Sequence, residues 1–446
     1  MSGVKQNRNS FLTEFDSHIG QHGLPKWAGS IRQTAMDRFI DLGFPTTRLE
    51  EWKYTNVAPI AKTQFHLAQN GFRGGLADID PLGIGHSTTA RLVFTGGHYL
   101  PGLSSTTKNQ VKLGSLAEFL RAEESSVKNH LARYAKYDNQ AFVALNTAFL
   151  QDGAFIQIPD GIVIDEPIYI LFYASNEPDS VTHPRTLVVA GRNSQATVVE
   201  IYAGPARGGY LTNAVTEVVL GENAVIDHYK VQNEGSSAFH IATIEAHQSR
   251  SANFYSHSVS IGGALVRNDI NVVLDGEGAD CTLDGLYVES GSQHVDNHTL
   301  IDHAKPHGSS RELYKGILDG KSFGVFNGSV IVRKDAQKTD ARQTNKNLLL
   351  SEEAEINTKP QLEIFADDVK CSHGATVGQI DQEALFYLRS RGLDIGAARG
   401  LLLYAFSNEI IDRIKHPEVR SLIASAISRS VAGKAGLGEP DTSEEL

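Results

Sequence analysis

Toward the end of the chain a thiol and an imidazole stand two residues apart, in Lys370-Cys371-Ser372-His373-Gly374-Ala375-Thr376. In an extended strand side chains alternate faces, so Cys371 and His373 would point the same way. Thiolate and imidazole are soft-to-borderline donors suited to iron or zinc. Two donors make half a metal site, and the other half would have to come from elsewhere. The polar neighbours Lys370, Ser372 and Gly374 predict an exposed cysteine with a lowered thiol pKa. The alternative is a turn in which His373 only caps backbone groups.

Other stretches invite chemistry less convincingly. His294, His298, His303 and His307 place four imidazoles within fourteen positions, enough for a zinc site. Their spacings in strand-like sequence scatter the rings over different faces, so stacking and corner hydrogen bonds are the expectation. Gly316-Ile317-Leu318-Asp319-Gly320-Lys321-Ser322 is one residue short of a phosphate loop, and no helical pattern follows it. Asp367 and Asp368 are adjacent rather than on one face, which suits paired-carboxylate catalysis poorly. Cys281 follows a turn inside a repeat and reads as a packed, inert thiol.

The elements that must position these groups fall into three textures. Trp27, Ile31, Ala35 and Phe39 recur at helical spacing until Gly43 and Pro45. After them comes Arg48-Leu49-Glu50-Glu51-Trp52-Lys53-Tyr54-Thr55, read either as a capped turn with a buried Trp52 or as a docking strip. Leu92 to Phe94 reads as a strand and Leu116 to Ala144 as helices, so residues 1–150 form a mixed N-terminal domain.

From about Ala154 the helical period disappears, and β-branched runs alternate with polar corners. Corners ending in Ala196, Ala224, Ala252 and Ala279 recur at steps of 28, 28 and 27 residues, and the next clear one is at Ala354. A near-constant step with a turn in register marks a solenoid, here a parallel β-helix over residues 151–379. A β-sandwich would not explain the step. After Asp381 the helical pattern returns over 380–435, with caps at Asp381 and Asp394, a first-position Pro417 and stops at Gly392 and His416. The tail 436–446 is acidic and predicted to be disordered.

The 446 residues carry 41 basic and 52 acidic side chains, a net charge of −11, which argues against a nucleic-acid partner. With 41% hydrophobic and 21% charged residues the composition is that of an ordinary soluble protein. Met1 to Ser10 is polar, so no signal peptide is expected, and no apolar run is long enough for a membrane helix. Two cysteines give no disulfide framework and point to a reducing cytoplasm, although a bridge between them stays open. Nor do two suffice for the four ligands of an iron–sulfur cluster.

Several motifs in order resemble the SufB/SufD family of the Suf iron–sulfur cluster assembly system. They are Arg48 to Thr55, Asp302-His303 to Pro306-His307, Tyr314-Lys315-Gly316, and Lys370-Cys371-Ser372-His373-Gly374-Ala375-Thr376-Val377-Gly378 followed by Leu388-Arg389-Ser390-Arg391-Gly392. The resemblance spans nearly the whole chain. It implies a mostly β fold: a right-handed parallel β-helix between helical N- and C-terminal domains. It implies a heterodimer with a SufB-like subunit, each subunit bound through its C-terminal helices to a SufC-like ABC ATPase. The few cysteines suit the D-type subunit of such a pair.

In that picture a transient cluster, or iron, is held at the subunit interface. His373 stands where the D-type histidine would be, with Cys371 as accessory. ATP hydrolysis belongs to the ATPase, so this chain would be non-catalytic and bind no nucleotide. Leu401, Leu402, Phe406 and Ile410 are candidates for the ATPase contact, and core packing explains them equally well. Two competing readings are a carbohydrate-active β-helix enzyme using Asp367, Asp368 or the histidine run, and a purely structural partner.

Overall fold

The computed structural model describes residues 11–17, 23–69, 72–84, 90–106 and 110–434, so the acidic tail lies outside the described residues. Its centre is a parallel β-solenoid of about eight turns over residues 153–378. Each coil contributes one strand to an 11-stranded sheet and one to a 10-stranded sheet. Sheet one ends in Leu265–Leu274, His294–His303, Phe323–Val332 and Glu355–Ile364. Sheet two ends in Asp280–Glu289, Ser309–Leu318, Asp340–Leu349 and Lys370–Gly378. Because pairing is parallel and in register, residues of successive coils stack in columns that point alternately into the core and out of it.

The repeat has a physical cause at one corner. Asn193, Asn223, Ser251, Gly278, His307 and Lys338 all have positive φ, between 53° and 70°. Each donates its backbone N–H to a carbonyl of the next coil's corner, from Asn193 to Glu222 (2.9 Å) through Lys338 to Asp368 (2.7 Å). Asparagine and glycine adopt the left-handed conformation most readily, which is why polar corner residues recur in the sequence.

The step itself is less regular than the alanines imply. Sheet-two strands begin at Gln195, Val225, Asn253, Asp280, Ser309, Asp340 and Lys370. Ala196 lies within a strand opposite Ile226, so Ser194 takes the corner place that Ala224 has one coil later. Ala354 precedes a sheet-one strand and therefore marks the opposite corner. Ladder register is constrained by hydrogen bonds, whereas a solvent-facing corner can gain or lose a residue.

At the N-terminal end the helix Lys26–Leu42 stops at Gly43 (φ 63°) and packs on the helix Ala141–Ala148 through a cluster that includes Phe11, Phe39, Phe44 and Phe142. The first coil is covered by chain from this region. Lys112–Ser115 pairs antiparallel with Gly153–Ile158, and Arg91–Thr95 pairs with Ile168–Tyr173. At the other end the helices Gln382–Ser390, Ile395–Ile411 and Pro417–Lys434 lie against the outer face of sheet two. The first two are capped by the carboxylates of Asp381 and Asp394, which accept backbone N–H groups of their first turns. Among the described residues no helix is long and apolar enough to cross a membrane.

Candidate functional site

Cys371 and His373 lie in Lys370–Gly378, the last strand of sheet two, where Cys371 pairs with Ala341 and His373 with Gln343. Ala341 and Gln343 are buried, so both donors extend inward-facing columns and share one face. The first column runs Ala196, Ile226, Phe254, Cys281, Ser310, Ala341, Cys371. Both cysteines thus stand in one stack, three coils and about 14 Å apart at ordinary strand spacing, too far for a disulfide. Both are free thiols.

The expected exposed, activated thiol is corrected by this alternation. Lys370 and Ser372 point the other way, while Cys371 is half-buried against the core. Burial pushes its thiol pKa up. Metal binding would therefore have to displace the proton from a resting thiol. His373 is exposed at the open mouth of the coil. Among the described residues no three His, Cys, Asp or Glu side chains converge as a metal site.

The second column runs Val198, His228, Ser256, Leu283, Glu312, Gln343, His373. Directly beneath His373, the Gln343 amide donates to the buried Glu312 carboxyl (2.7 Å). Burial pushes the Glu312 pKa up to about 7. A polar interior therefore underlies the imidazole, where the Cys371 column is mainly apolar. Sequence reasoning passed over Gln343 and Glu312, and only the 31-residue rung that pairs them could have shown the link. Gly316 and Gly285 are explained by the same layer. A Cβ at Gly316 would lie 2.2 Å from the Tyr287 ring, and one at Gly285 2.2 Å from the Tyr314 ring.

The remaining candidates disperse. His294 and His298 are on the outer face of sheet one, His303 is buried with Nε2 2.9 Å from the Ser310 hydroxyl, and His307 occupies the corner ladder. His298 lies 3.0 Å from Asp296 and 3.5 Å from Glu51. Burial opposes its charge, but Asp296 above all outweighs it, and the pKa is pushed up to about 9. Between them sits Arg267, donating to Asp296 (2.8 Å) and to the Glu51 carbonyl (2.7 Å), with its guanidinium 3.9 Å from the Trp52 ring centre.

Arg48 to Thr55 is thus a docking strip, and Trp52 is half-buried rather than buried. Thr55 reaches Asp296 (2.5 Å), and Glu50 pairs with Lys359 on the last strand of sheet one (2.6 Å). Asp368 pairs with Lys338 across the corner, and Asp367 stays exposed. The glycine-rich segment at 316–322 is strand, turn and strand.

Of the four apolar candidates on the second C-terminal helix, Ile410 is fully buried and Phe406 packs under the Lys315 ammonium, 3.8 Å from its ring centre. Leu402 is half-buried. Leu401 is exposed, in company with Phe386, Tyr387, Ile395 and Tyr404 on the first two C-terminal helices. An apolar patch of this kind marks a contact surface.

The family model for the SufBD core domain of the SUF FeS cluster assembly system matches residues 172–406, and that for the SufBD N-terminal region matches residues 5–170. The chain belongs to the SufBD family. A SufBD family iron–sulfur cluster assembly protein of Synechocystis sp. is 35% identical, over 89% of this chain and 90% of its own length. The iron–sulfur cluster assembly protein SufD of Escherichia coli is 30% identical, over 90% of this chain and 93% of its own. SufD of Bacillus subtilis is 26% identical, over 92% and 95%. The SufBD core match takes in the last coil with Cys371 and His373 and reaches the second C-terminal helix as far as Phe406.

Proposed function

We propose that this chain is the D-type subunit of a cytoplasmic Suf scaffold, paired with a SufB-like subunit and with a SufC-like ABC ATPase that hydrolyses the ATP. The observation that carries the reading is the last coil. Cys371 and His373 share its inner face, and both of its strands, Glu355–Ile364 and Lys370–Gly378, are hydrogen-bonded on one side only among the described residues. An unpaired edge beside two metal donors suits a partner that adds strands and supplies the remaining ligands.

Iron and sulfide are cargo in this scheme. His373 would offer a neutral imidazole and Cys371 a thiolate once its proton is lost. The exposed patch of Phe386, Tyr387, Ile395, Leu401 and Tyr404 suits the ATPase. Binding energy that differs between the ATPase's open and closed states would shift the helices and, through them, the last coil. Neither nucleic acid, membrane nor nucleotide has a role on this chain.

Anaerobic reconstitution tests this with the chain alone and in its complex with the matching SufB-like and SufC-like proteins. Iron, sulfide and the visible spectrum are read for wild type and His373→Ala. Cluster in the wild-type complex alone supports a shared site. Equal cluster without His373 makes this chain a scaffold and assigns the metal to its partner.

A further inference from the structure

One outward column of sheet two changes character toward the open end. It runs Ile201, Val231, Val259, Leu286, then Lys315, Lys346 and Thr376. The four apolar members are fully buried under the C-terminal helices. The two lysines are direct cross-strand neighbours, about 4.8 Å apart at the backbone, a placement in which like charges destabilise a sheet. One carboxylate answers both. Glu409, on the helix Ile395–Ile411, accepts from Lys315 Nζ (2.6 Å) and from Lys346 Nζ (3.0 Å). The Lys315 side chain is only 3% exposed, so water cannot replace that partner.

Two further attachments continue along the same helix end toward earlier coils. Arg413 pairs with the buried Asp284 (2.9 Å), and Lys415 with Asp227 (2.9 Å). Burial pushes the Lys315 pKa down, in keeping with an ammonium that depends on its carboxylate.

We propose that Glu409 is a latch, coupling the seating of the C-terminal helix to the order of the coil that bears Cys371 and His373. Seated, it neutralises Lys315 and Lys346 and holds the last strands of sheet two together. Lifted, it leaves two adjacent ammonium groups, one of them buried, directly beneath Thr376 of the metal-donor strand. A continued apolar column would seal the sheet as well. The lysines make the seal conditional on the helix. Only the bearing of the latch on cluster chemistry rests on the function proposed above.

Hydrogen–deuterium exchange on the purified full chain, without metal or partner, tests it. In Glu409→Gln, exchange in Asp340–Leu349 and Lys370–Gly378 should rise about tenfold, while Val225–Asn233 is unchanged. The variant Lys315→Met/Lys346→Met/Glu409→Met, which removes the charges and keeps the bulk, should return to within about twofold of wild type. Lys346→Met alone, which relieves the repulsion and keeps the Lys315 pair, should exchange no faster than wild type. Unchanged exchange in Glu409→Gln overturns the latch. So does a uniform rise in all coils, a triple variant as loose as Glu409→Gln, or faster exchange in Lys346→Met. Because no metal is involved, loss of the latch leaves the shared-site reading standing. Failure of reconstitution to depend on His373 likewise leaves the latch standing.

Discussion

The two ends of the solenoid meet the same physical problem and handle it differently. A parallel β-solenoid has to terminate in two strand edges whose N–H and C=O groups lack partners. At the first coil the chain supplies its own cover, with Lys112–Ser115 on sheet one and Arg91–Thr95 on sheet two. There Leu92, Val93, Ile156 and Ile170 are fully buried. At the last coil no such cover exists among the described residues, and Ile364, Phe365 and Val377 are 41%, 63% and 49% exposed. The interior changes in parallel, from Val198 and Ile226 to Glu312, Gln343 and His373. One end is built for stability, and the other is left for something else to complete.

The sharpest way to break this contrast is to place a carboxylate at each end. Leu92→Asp should cost at least about 4 kcal/mol or prevent folding, because the charge has no partner in an apolar layer. Val377→Asp should stay within about 0.5 kcal/mol in chemical denaturation of the isolated chain, yet abolish association with the SufB-like partner. If Val377→Asp unfolds the isolated chain, the open end is structural and the contrast fails.

A smaller effect belongs to the layer just below the open coil. Gly316→Ala would drive a methyl group against the Tyr287 ring and the Asn347 amide, a clash expected to cost about 2–3 kcal/mol. Thermal melting of this variant beside a Tyr287→Phe/Gly316→Ala pair would show whether ring contact or the hydroxyl hydrogen bond dominates.

The docking strip across sheet one offers a pH test. The folded pKa of His298, about 9, lies above its ordinary 6.5, so its stabilisation is complete below pH 6.5 and is lost as pH rises through about 9. Denaturation at pH 6 and pH 9.5 should show wild type losing about 1–2 kcal/mol relative to His298→Gln over that interval. Parallel pH curves for the two proteins would remove the charge from the strip's attachment. Smallest of all is His373→Ala, which in the isolated chain should shift unfolding by less than about 0.5 kcal/mol, as befits an exposed side chain held in reserve. A larger loss would mean that the imidazole serves the fold.

The solenoid was legible because its cause is local. Corner residues such as Asn223 and Gly278 must take positive φ, and β-branched runs between them must alternate. Helix caps at Asp381 and Asp394 and the first-position Pro417 were legible for the same reason. The spacing was misread at Ala196 and Ala354 because an alanine after a turn looks alike at either corner of a coil. Cys371 was read as exposed from its neighbours in sequence, whereas its neighbours in space are Ala341 and the core.

What the sequence determined by itself follows from interactions within a few residues: strands, corners, caps, and two donors on one face of a strand. It could place Cys371 and His373 on one face because a strand's period is two. Only the tertiary structure decided that their coil is the uncovered one, that Glu312 and Gln343 lie beneath His373, and that Glu409 joins Lys315 to Lys346. Those facts depend on which coils stack and where a helix from the far end of the chain comes to rest. They are set by packing between residues that in the Lys315–Glu409 pair lie 94 positions apart. Local propensity carries no record of such partners.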